Sequence, residues 1–308
     1  MSISEKVKEL MHNKAGIVTA LGKRGVLNWL SDENYIRLLY RAGVGKRLNL
    51  KEPKTFNEKV QWLKLHDRRP LYVQLVDKYE VRQHITEKIG KQYLIPLLGG
   101  PWNSFDEIDF DALPDQFVLK CTHDSGGVVI CRDKVSFDVK AARRKIEKHL
   151  KQNFFWAGRE WPYKSVKPRI IAEKYMEDTA TSELRDYKFF CFNGVPKALF
   201  IATERQSIGE DTKFDFFDMD YNHLDIRNGH PNATVPPVQP FCFEEMKRLA
   251  AILSEGIPQV RVDFYEVNRV VYFGELTLSH WSGAVPFEPE KWDRIFGDWI
   301  DLTKISNE

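Results

Sequence analysis

No apolar run in this 308-residue chain approaches the ~20 residues that span a bilayer, so a membrane-crossing helix is not expected. The four cysteines, Cys121, Cys131, Cys191 and Cys242, are scattered and form no CxxC pair. That argues against a zinc site or a disulfide framework and for reduced thiols. No Gly-Lys-Ser/Thr opens a helix, so a Walker phosphate loop is missing. No Ser-His-Asp or Cys-His arrangement stands out, which leaves covalent nucleophilic catalysis without an evident seat. A formal net charge of +2 excludes a strong global field for polyanions but not a local basic groove. Nucleic-acid binding has no motif to support it, and no internal repeat or low-complexity tract is visible. Residues 4–10 are charged and helical rather than signal-like, so the expected compartment is the cytoplasm. Peripheral contact with the inner face of the membrane stays open.

What is present is ordinary globular composition, 43% hydrophobic and 29% charged, at a length that exceeds one compact core. Two or three subdomains are therefore expected. The first third reads as helical. Residues 4–22 form an amphipathic helix, Ser31-Asp32 caps a second, and Thr55-x-x-Glu58 is a capping box for a third. Leu71 to Ile89 reads as one helix, and Leu94 to Leu98 as a short strand. Phe117–Lys120 and Val128–Ile130 are β-rich runs around a polar loop, followed by a basic helix over 138–153. Residues 169–173 and 186–203 are again β-rich, with Asn193-Gly194 as a hairpin turn. The stretch from Arg205 to Pro240 is long, aromatic and turn-rich, the kind of connection that is functional or mobile. A helix over 242–254 precedes the last two strands.

Those two strands carry the most informative pattern. Gln259–Tyr265 and Val271–Thr277 are separated by a short turn through Asn268, which predicts a hairpin. Side chains alternate faces along a strand, so Arg261 and Asp263 share one face. With an odd-numbered loop, Glu275 and Thr277 join them. Two close carboxylates repel unless a cation lies between, and an oxygen-only donor set suits Mg²⁺. A half-solvated antiparallel hairpin shows the same alternation, so the hairpin alone does not choose.

Other segments add to it. Lys120 ends a strand ahead of Thr122-His123-Asp124-Ser125-Gly126-Gly127, whose small residues let backbone N–H groups approach phosphate oxygens. Gly-Gly is also simply a turn signal. Glu173 closes a strand before an apolar segment that suits an adenine ring, and Asp186 and Lys188 share a strand face. Taken together, Asp77-Lys78, Lys120 with its loop, Glu173-Lys174-Tyr175-Met176, Asp186-x-Lys188, Arg261-x-Asp263 and Glu275 resemble the ATP-grasp superfamily in order and spacing. Ala172–Tyr175, Glu183–Phe189, Phe273–Thr277, Gly158–Tyr163 and Glu290–Asp293 with Gly297-Asp298-Trp299 resemble its TupA-like branch, over roughly residues 30–302.

The resemblance implies an α+β fold: ATP-grasp, with two α+β subdomains clamping ATP after a helical N-terminal region. The expected division is a helical region over 1–70, a preceding segment over 71–113, a small subdomain over 114–185 and a large subdomain over 186–308. It further implies that Lys78 and Lys120 neutralise α- and β-phosphates and that the loop of Thr122, His123, Ser125, Gly126 and Gly127 closes over them. Glu173, Lys174, Tyr175 and Met176 would form the adenine hinge. Asp186 would meet ribose, Lys188 the γ-phosphate, and Asp263 and Glu275 Mg²⁺. Arg261 would stabilise the transferring phosphoryl group. Thr277 stands where the family usually has Asn, which puts a second metal in question. The implied activity is an ATP-dependent carboxylate–amine ligase, acting through an acyl phosphate on a small-molecule amine and a uronic acid or similar sugar carboxylate of bacterial surface polysaccharide biosynthesis. For the acceptor site the candidates are Arg159, Trp161, Tyr163, Lys164, Lys213 and His280, a lone histidine that also suits a structural place. A metal-dependent glycosyltransferase of the same pathway is the alternative, with Asp218-Met219-Asp220 as a formal DxD.

Overall fold

The computed structural model describes residues 14–179, 184–204 and 212–305. Of the helix expected over 4–22, the part from residue 14 is present as α1 (Lys14–Lys23), and residues 4–13 lie outside the described range. α2 (Asp32–Val44) is capped by the Ser31 hydroxyl, which accepts from Asn34 N, and ends at Gly45 in the left-handed region. α3 (Phe56–His66) carries the full Thr55/Glu58 capping box. Residues 71–89 are not one helix. α4 (Leu71–Val76) and α5 (Val81–Lys88) are broken at Asp77, whose carboxylate accepts from Tyr79 N at 2.8 Å. A side chain that offers its own turn competes with the helix ladder, and the break presents Lys78 at an elbow.

Two antiparallel sheets follow. The smaller has order β1-β4-β2-β3, from β1 (Leu97–Trp102), β2 (Phe117–Cys121), β3 (Val128–Cys131) and β4 (Ile170–Lys174). β1 lies a few residues beyond the expected strand at 94–98. One face of this sheet, with Phe117, Leu119 and Cys121, packs on α6 (Val139–Leu150) through Ala142 and Ile146. The other face carries Val118, Lys120 and Glu173.

The larger sheet has order β10-β9-β5-β6-β7-β8, from β5 (Asp186–Phe192), β6 (Val195–Thr203), β7 (Lys213–Phe217), β8 (His223–Leu224), β9 (Val260–Val267) and β10 (Val270–Thr277). Every residue of β5 is buried, as expected for a strand covered on both faces. On one side Phe189, Leu199, Val262 and Phe264 pack against α8 (Phe243–Leu253). On the other, Phe190, Phe200 and Phe216 pack against Phe56 and Val60 of α3 and Phe296 of α9 (Lys291–Asp298). The N-terminal helices are therefore part of the core of the large sheet. Asn57 N donates to Asp293 Oδ1 at 2.9 Å, and Lys59 Nζ donates to Gly297 O at 2.8 Å. No described helix is long and apolar enough to cross a membrane.

The closing hairpin corrects one expectation. Its loop is the two residues Asn268 and Arg269, both at positive φ (51° and 64°), an even-numbered turn. Val267 pairs Val270 and Phe264 pairs Phe273, but Asp263 then pairs Glu275 and Arg261 pairs Thr277. Gly274 is the extra residue of a β-bulge, and the bulge is what turns Glu275 and Thr277 onto the face of Asp263 and Arg261. A Cβ at Gly274 would lie 3.1 Å from Asp263 O and 3.2 Å from Tyr265 Cε2, so the crossing is close.

Candidate active site

The polar faces of the two sheets enclose a cavity of 540 Å³. Ile95, Val118, Ile130, Met176, Tyr265 and Phe273 supply apolar lining, and Lys78, Lys120, Asp186, Lys188 and Glu275 supply charged lining. This mixture, apolar with convergent charges, is the usual make-up of a small-molecule site. A second cavity of 610 Å³ lies beside it and is lined by Arg261, Thr277, His280, Trp281, Tyr163 and Glu160 among others. Lys78, Ser125, Lys188 and Glu275 line both cavities, so they form the wall between them.

From the large sheet, Lys188 Nζ lies 3.0 Å from Asp186 Oδ1 and makes a short contact with Asp263 Oδ2. Arg261 clasps Asp263 in a bidentate pair, Nε to Oδ1 and Nη2 to Oδ2, both at 2.7 Å. The same Nη2 is 3.0 Å from Glu275 Oε1 and 3.0 Å from Thr277 Oγ1. Burial works against the ionised Glu275 carboxyl, but Lys188, Arg261 and Lys78 together outweigh it and hold it at about 2. Burial lowers the Lys188 ammonium, while Asp263 pulls it upward. His280 Nε2 bonds Asn228 Oδ1 at 2.7 Å, and its Nδ1 accepts from Arg261 Nη1 at 2.7 Å. This fixes the neutral tautomer. Burial, with Arg261 and Lys188 nearby, drives the imidazole pKa well below its ordinary value.

From the small sheet, Glu173 bridges Lys120 Nζ at 2.6 Å and Arg82 Nη1 at 3.1 Å. The loop after β2 is drawn closed by Cys121 N donating to Gly127 O at 2.7 Å. Gly126 stands at φ 102°, and a Cβ on Gly127 would lie 2.7 Å from Asp124 Oδ1 and 2.8 Å from Cys121 Cβ. Lys78 is tied to this loop, its N–H donating to Thr122 O at 3.0 Å and its ammonium to Asp124 O. Ser125 and Gly126 face the cavity, whereas Thr122 and His123 are buried behind it. In the expected hinge, Lys174 N already donates to Pro96 O at 2.9 Å, so Lys174 has only its carbonyl to offer. Tyr175 and Met176 line the cavity.

The acceptor candidates divide. Tyr163 and His280 line the second cavity. Arg159 does not: it is 1% exposed, its guanidinium lying 4.4 Å from the Tyr35 ring and 4.3 Å from that of Trp156. Trp161 packs on the core and donates to Asp67 O at 3.1 Å. Lys164 is exposed over the Phe155 ring, and Lys213 begins β7 opposite Thr203. The formal DxD is a turn. Asp218 Oδ1 accepts from Asp220 N at 2.9 Å and Asn222 N at 2.8 Å, and the motif lines neither cavity. Sequence reasoning missed Lys145 of α6, which reaches the first cavity, and Trp281 and Asn228. Trp281, Ser282 and Gly283 are three successive residues at positive φ (47°, 54°, 63°), and no local sequence signal marks a bulky residue there.

Mg²⁺ fits this donor set in a limited way. Among the described residues no group of three or more His, Cys, Asp or Glu side chains converges. Asp263 gives both oxygens to Arg261 and Lys188, so as placed here it is their counter-ion rather than a free ligand. Glu275, on the shared wall, is the residue that would supply a hard oxygen to such an ion, with Thr277 Oγ1 beside it. Such a site suits an ion that takes its remaining ligands from phosphates and water.

No curated protein matches the chain. Among solved structures it is similar to N5-carboxyaminoimidazole synthase from Aspergillus clavatus, at 12% identity and a TM-score of 0.41, covering 68% of this chain and 46% of that one. It is also similar to D-alanine–D-alanine ligase from Bacillus anthracis complexed with ATP, at 15% identity and a TM-score of 0.45, covering 75% and 66%. A third likeness is to the ATP-grasp ligase PsnB, at 9% identity and a TM-score of 0.43, covering 80% and 68%. The chain thus spans less than two thirds of the first two of these structures. A family model for TupA-like ATP-grasp proteins matches residues 58–301, and the chain belongs to that family.

Proposed function

We propose that the protein is an ATP-dependent carboxylate–amine ligase that activates a sugar carboxylate as an acyl phosphate and joins it to an amine. The acid is a uronic acid or similar carboxylate of surface polysaccharide biosynthesis, and the amine an amino acid or other amine. The observation that carries this reading is the shared wall. Lys78, Ser125, Lys188 and Glu275 line both cavities. A nucleotide whose base lies among Ile95, Val118, Met176 and Phe273 would present its terminal phosphate there, to an acid held in the second cavity.

The roles follow from placement. Lys120 and Lys78 meet the phosphate chain as point charges, and Ser125 and Gly126 cover it. Lys188 stands at the γ-position. Arg261, fixed by Asp263 and His280, offers a preorganised cation to the charge that develops on the transferring phosphoryl group, with no reorganisation at the moment of reaction. Glu275 and Thr277 would hold Mg²⁺, which supplies neutralising charge between the phosphates. The Trp281 ring, 39% exposed and 5.9 Å from His230, gives a sugar ring an aromatic face on which to stack. The test is ADP release from Mg·ATP with acids and amines offered singly and together. Release that requires both supports a ligase, and turnover indifferent to every acid and amine removes that reading.

A further inference from the structure

Amide formation sets a requirement that the phosphate machinery does not meet. An amine enters as an ammonium ion and must lose a proton before its nitrogen can attack. The phosphate end of the second cavity repels an ammonium ion, because Lys78, Lys188 and Arg261 stand there. Three carboxylates line that cavity: Asp124, Glu160 and Glu275. Asp124 is bound to His149 Nδ1, and Glu275 belongs to Arg261 and the phosphate wall. Glu160 remains.

Its setting is built rather than incidental. Arg159, in the left-handed region at φ 57°, turns the chain so that Glu160 faces the cavity while staying 9% exposed. Behind it Lys64 of α3, itself buried, donates to Gly158 O at 2.7 Å, Ser282 O at 3.1 Å and Ser282 Oγ at 3.2 Å. The Ser282 hydroxyl donates to Gly158 O at 3.4 Å and favours the ionised form of the Glu160 carboxyl. The groups around the carboxyl are Lys64 from α3, Arg261 and Glu275 from the hairpin, Ser282 from the last turn, and Tyr163 from its own segment. We propose that Glu160 is the amine site, its carboxylate binding the incoming ammonium and then accepting the proton that the nitrogen must lose. The proton passes from nitrogen to a Glu160 oxygen, and the freed lone pair forms the C–N bond. The carbonyl carbon–oxygen bond to phosphate breaks, and phosphate leaves with that electron pair, taking the second proton that the nitrogen sheds as the neutral amide forms. Burial raises the Glu160 carboxyl, which brings it nearer to the range where a general base works best.

This inference rests on the ligase reading, and one experiment separates them. Wild type and Glu160→Gln are given Mg·ATP and glucuronate or galacturonate, with either hydroxylamine or pooled amino acids. Hydroxylamine is neutral at neutral pH and needs no base. Glu160→Gln should keep the hydroxamate rate within about twofold and lose amide formation by about 100-fold, the residual rate climbing about tenfold per pH unit as the amine deprotonates unaided. Wild-type amide formation should fall on the acid side through a limb that its hydroxamate formation lacks, a measurement that needs no variant to fold. Equal loss of both products in Glu160→Gln, an unchanged amide rate, a shared acid limb, or hydroxamate without any amide overturns the proposal. No hydroxamate from wild type with any acid overturns the ligase reading itself, and the inference with it.

Discussion

His280 shows how a single side chain can look like a ligand and serve as a brace. Its Nδ1 accepts from Arg261 and its ring packs edge-on to Phe190 at 4.9 Å, so it holds the guanidinium over the second cavity. Its pKa lies well below 6.5 in the folded chain. Below about pH 6.5 the unfolded chain therefore binds a proton that the folded chain refuses, and stability falls as pH drops. The contribution approaches ~1.4 kcal/mol per pH unit. His280→Asn, measured by denaturant unfolding between pH 4 and 7, should flatten that slope. Glu275 acts in the same sense on acidification, though as a group held ionised rather than neutral, its carboxyl drawn from 4.5 down to about 2. Its share of stability is present above about pH 4.5 and lost as pH falls toward 2. Glu275→Gln should reduce kcat by ~10²-fold or more and shrink the Mg·ATP thermal shift. An unaltered shift would mean the ion is held elsewhere.

At the scale of elements, two irregularities set the site. The Gly274 bulge converts an even hairpin into one whose Glu275 meets Asp263. Gly274→Val puts a branched side chain where a Cβ already has neighbours at 3.1 and 3.2 Å, on the wall of the nucleotide cavity. Weaker ATP binding by about tenfold or more is expected, read by titration calorimetry, with modest loss of melting temperature. The second irregularity is the left-handed run Trp281-Ser282-Gly283, held by Gln61 Nε2 donating to Ser282 O at 2.9 Å and Gly283 O at 2.8 Å. Strain of this kind persists where the surroundings over-determine it and often marks a site. Trp281→Ala should raise the KM for the acid by about tenfold and leave the KM for ATP unchanged. Equal effects on both would assign Trp281 to packing.

The whole molecule is two sheets facing one another, with the N-terminal helices welded to the larger. Phe56 and Val60 are fully buried against Phe190, Phe287 and Phe296. Within the region expected to be helical over 1–70, the described helices run from Lys14 to His66, and α3 packs into the core of the large sheet. A chain lacking residues 1–66 should show no cooperative thermal transition and no Mg·ATP stabilisation, because it exposes the aromatic face of the large sheet. A truncated chain that melts cooperatively would show that the helices are dispensable. Because the nucleotide cavity is lined from both sheets, a ligand there binds only the folded arrangement, and its stabilisation grows with concentration by mass action.

Much of the site was legible because it lies on strands. A period of two places Lys120, Glu173, Asp186, Lys188, Arg261 and Asp263 on their faces from the chain alone, and the order of these charged positions marked the ATP-grasp family. The Ser31 cap, the Thr55/Glu58 capping box and the Asn193-Gly194 turn were legible too, since their chemistry is local. Three things were not. The break at Asp77 depends on a carboxylate choosing a turn over a helix, and Arg169, 92 residues away, bonds that carboxylate at 2.9 Å. The bulge at Gly274 depends on how β10 settles against β9. The places of Arg159, Glu160 and Trp281 depend on α3 reaching across the chain, Lys64 meeting Ser282 at a separation of 218 residues. Sequence by itself determined which charges share a face within one unbroken strand, because alternation is a property of the strand. Tertiary structure decided which of those charges meet and which aromatic residues open to a ligand, because only long-range packing can hold a backbone in a conformation that its own residues disfavour.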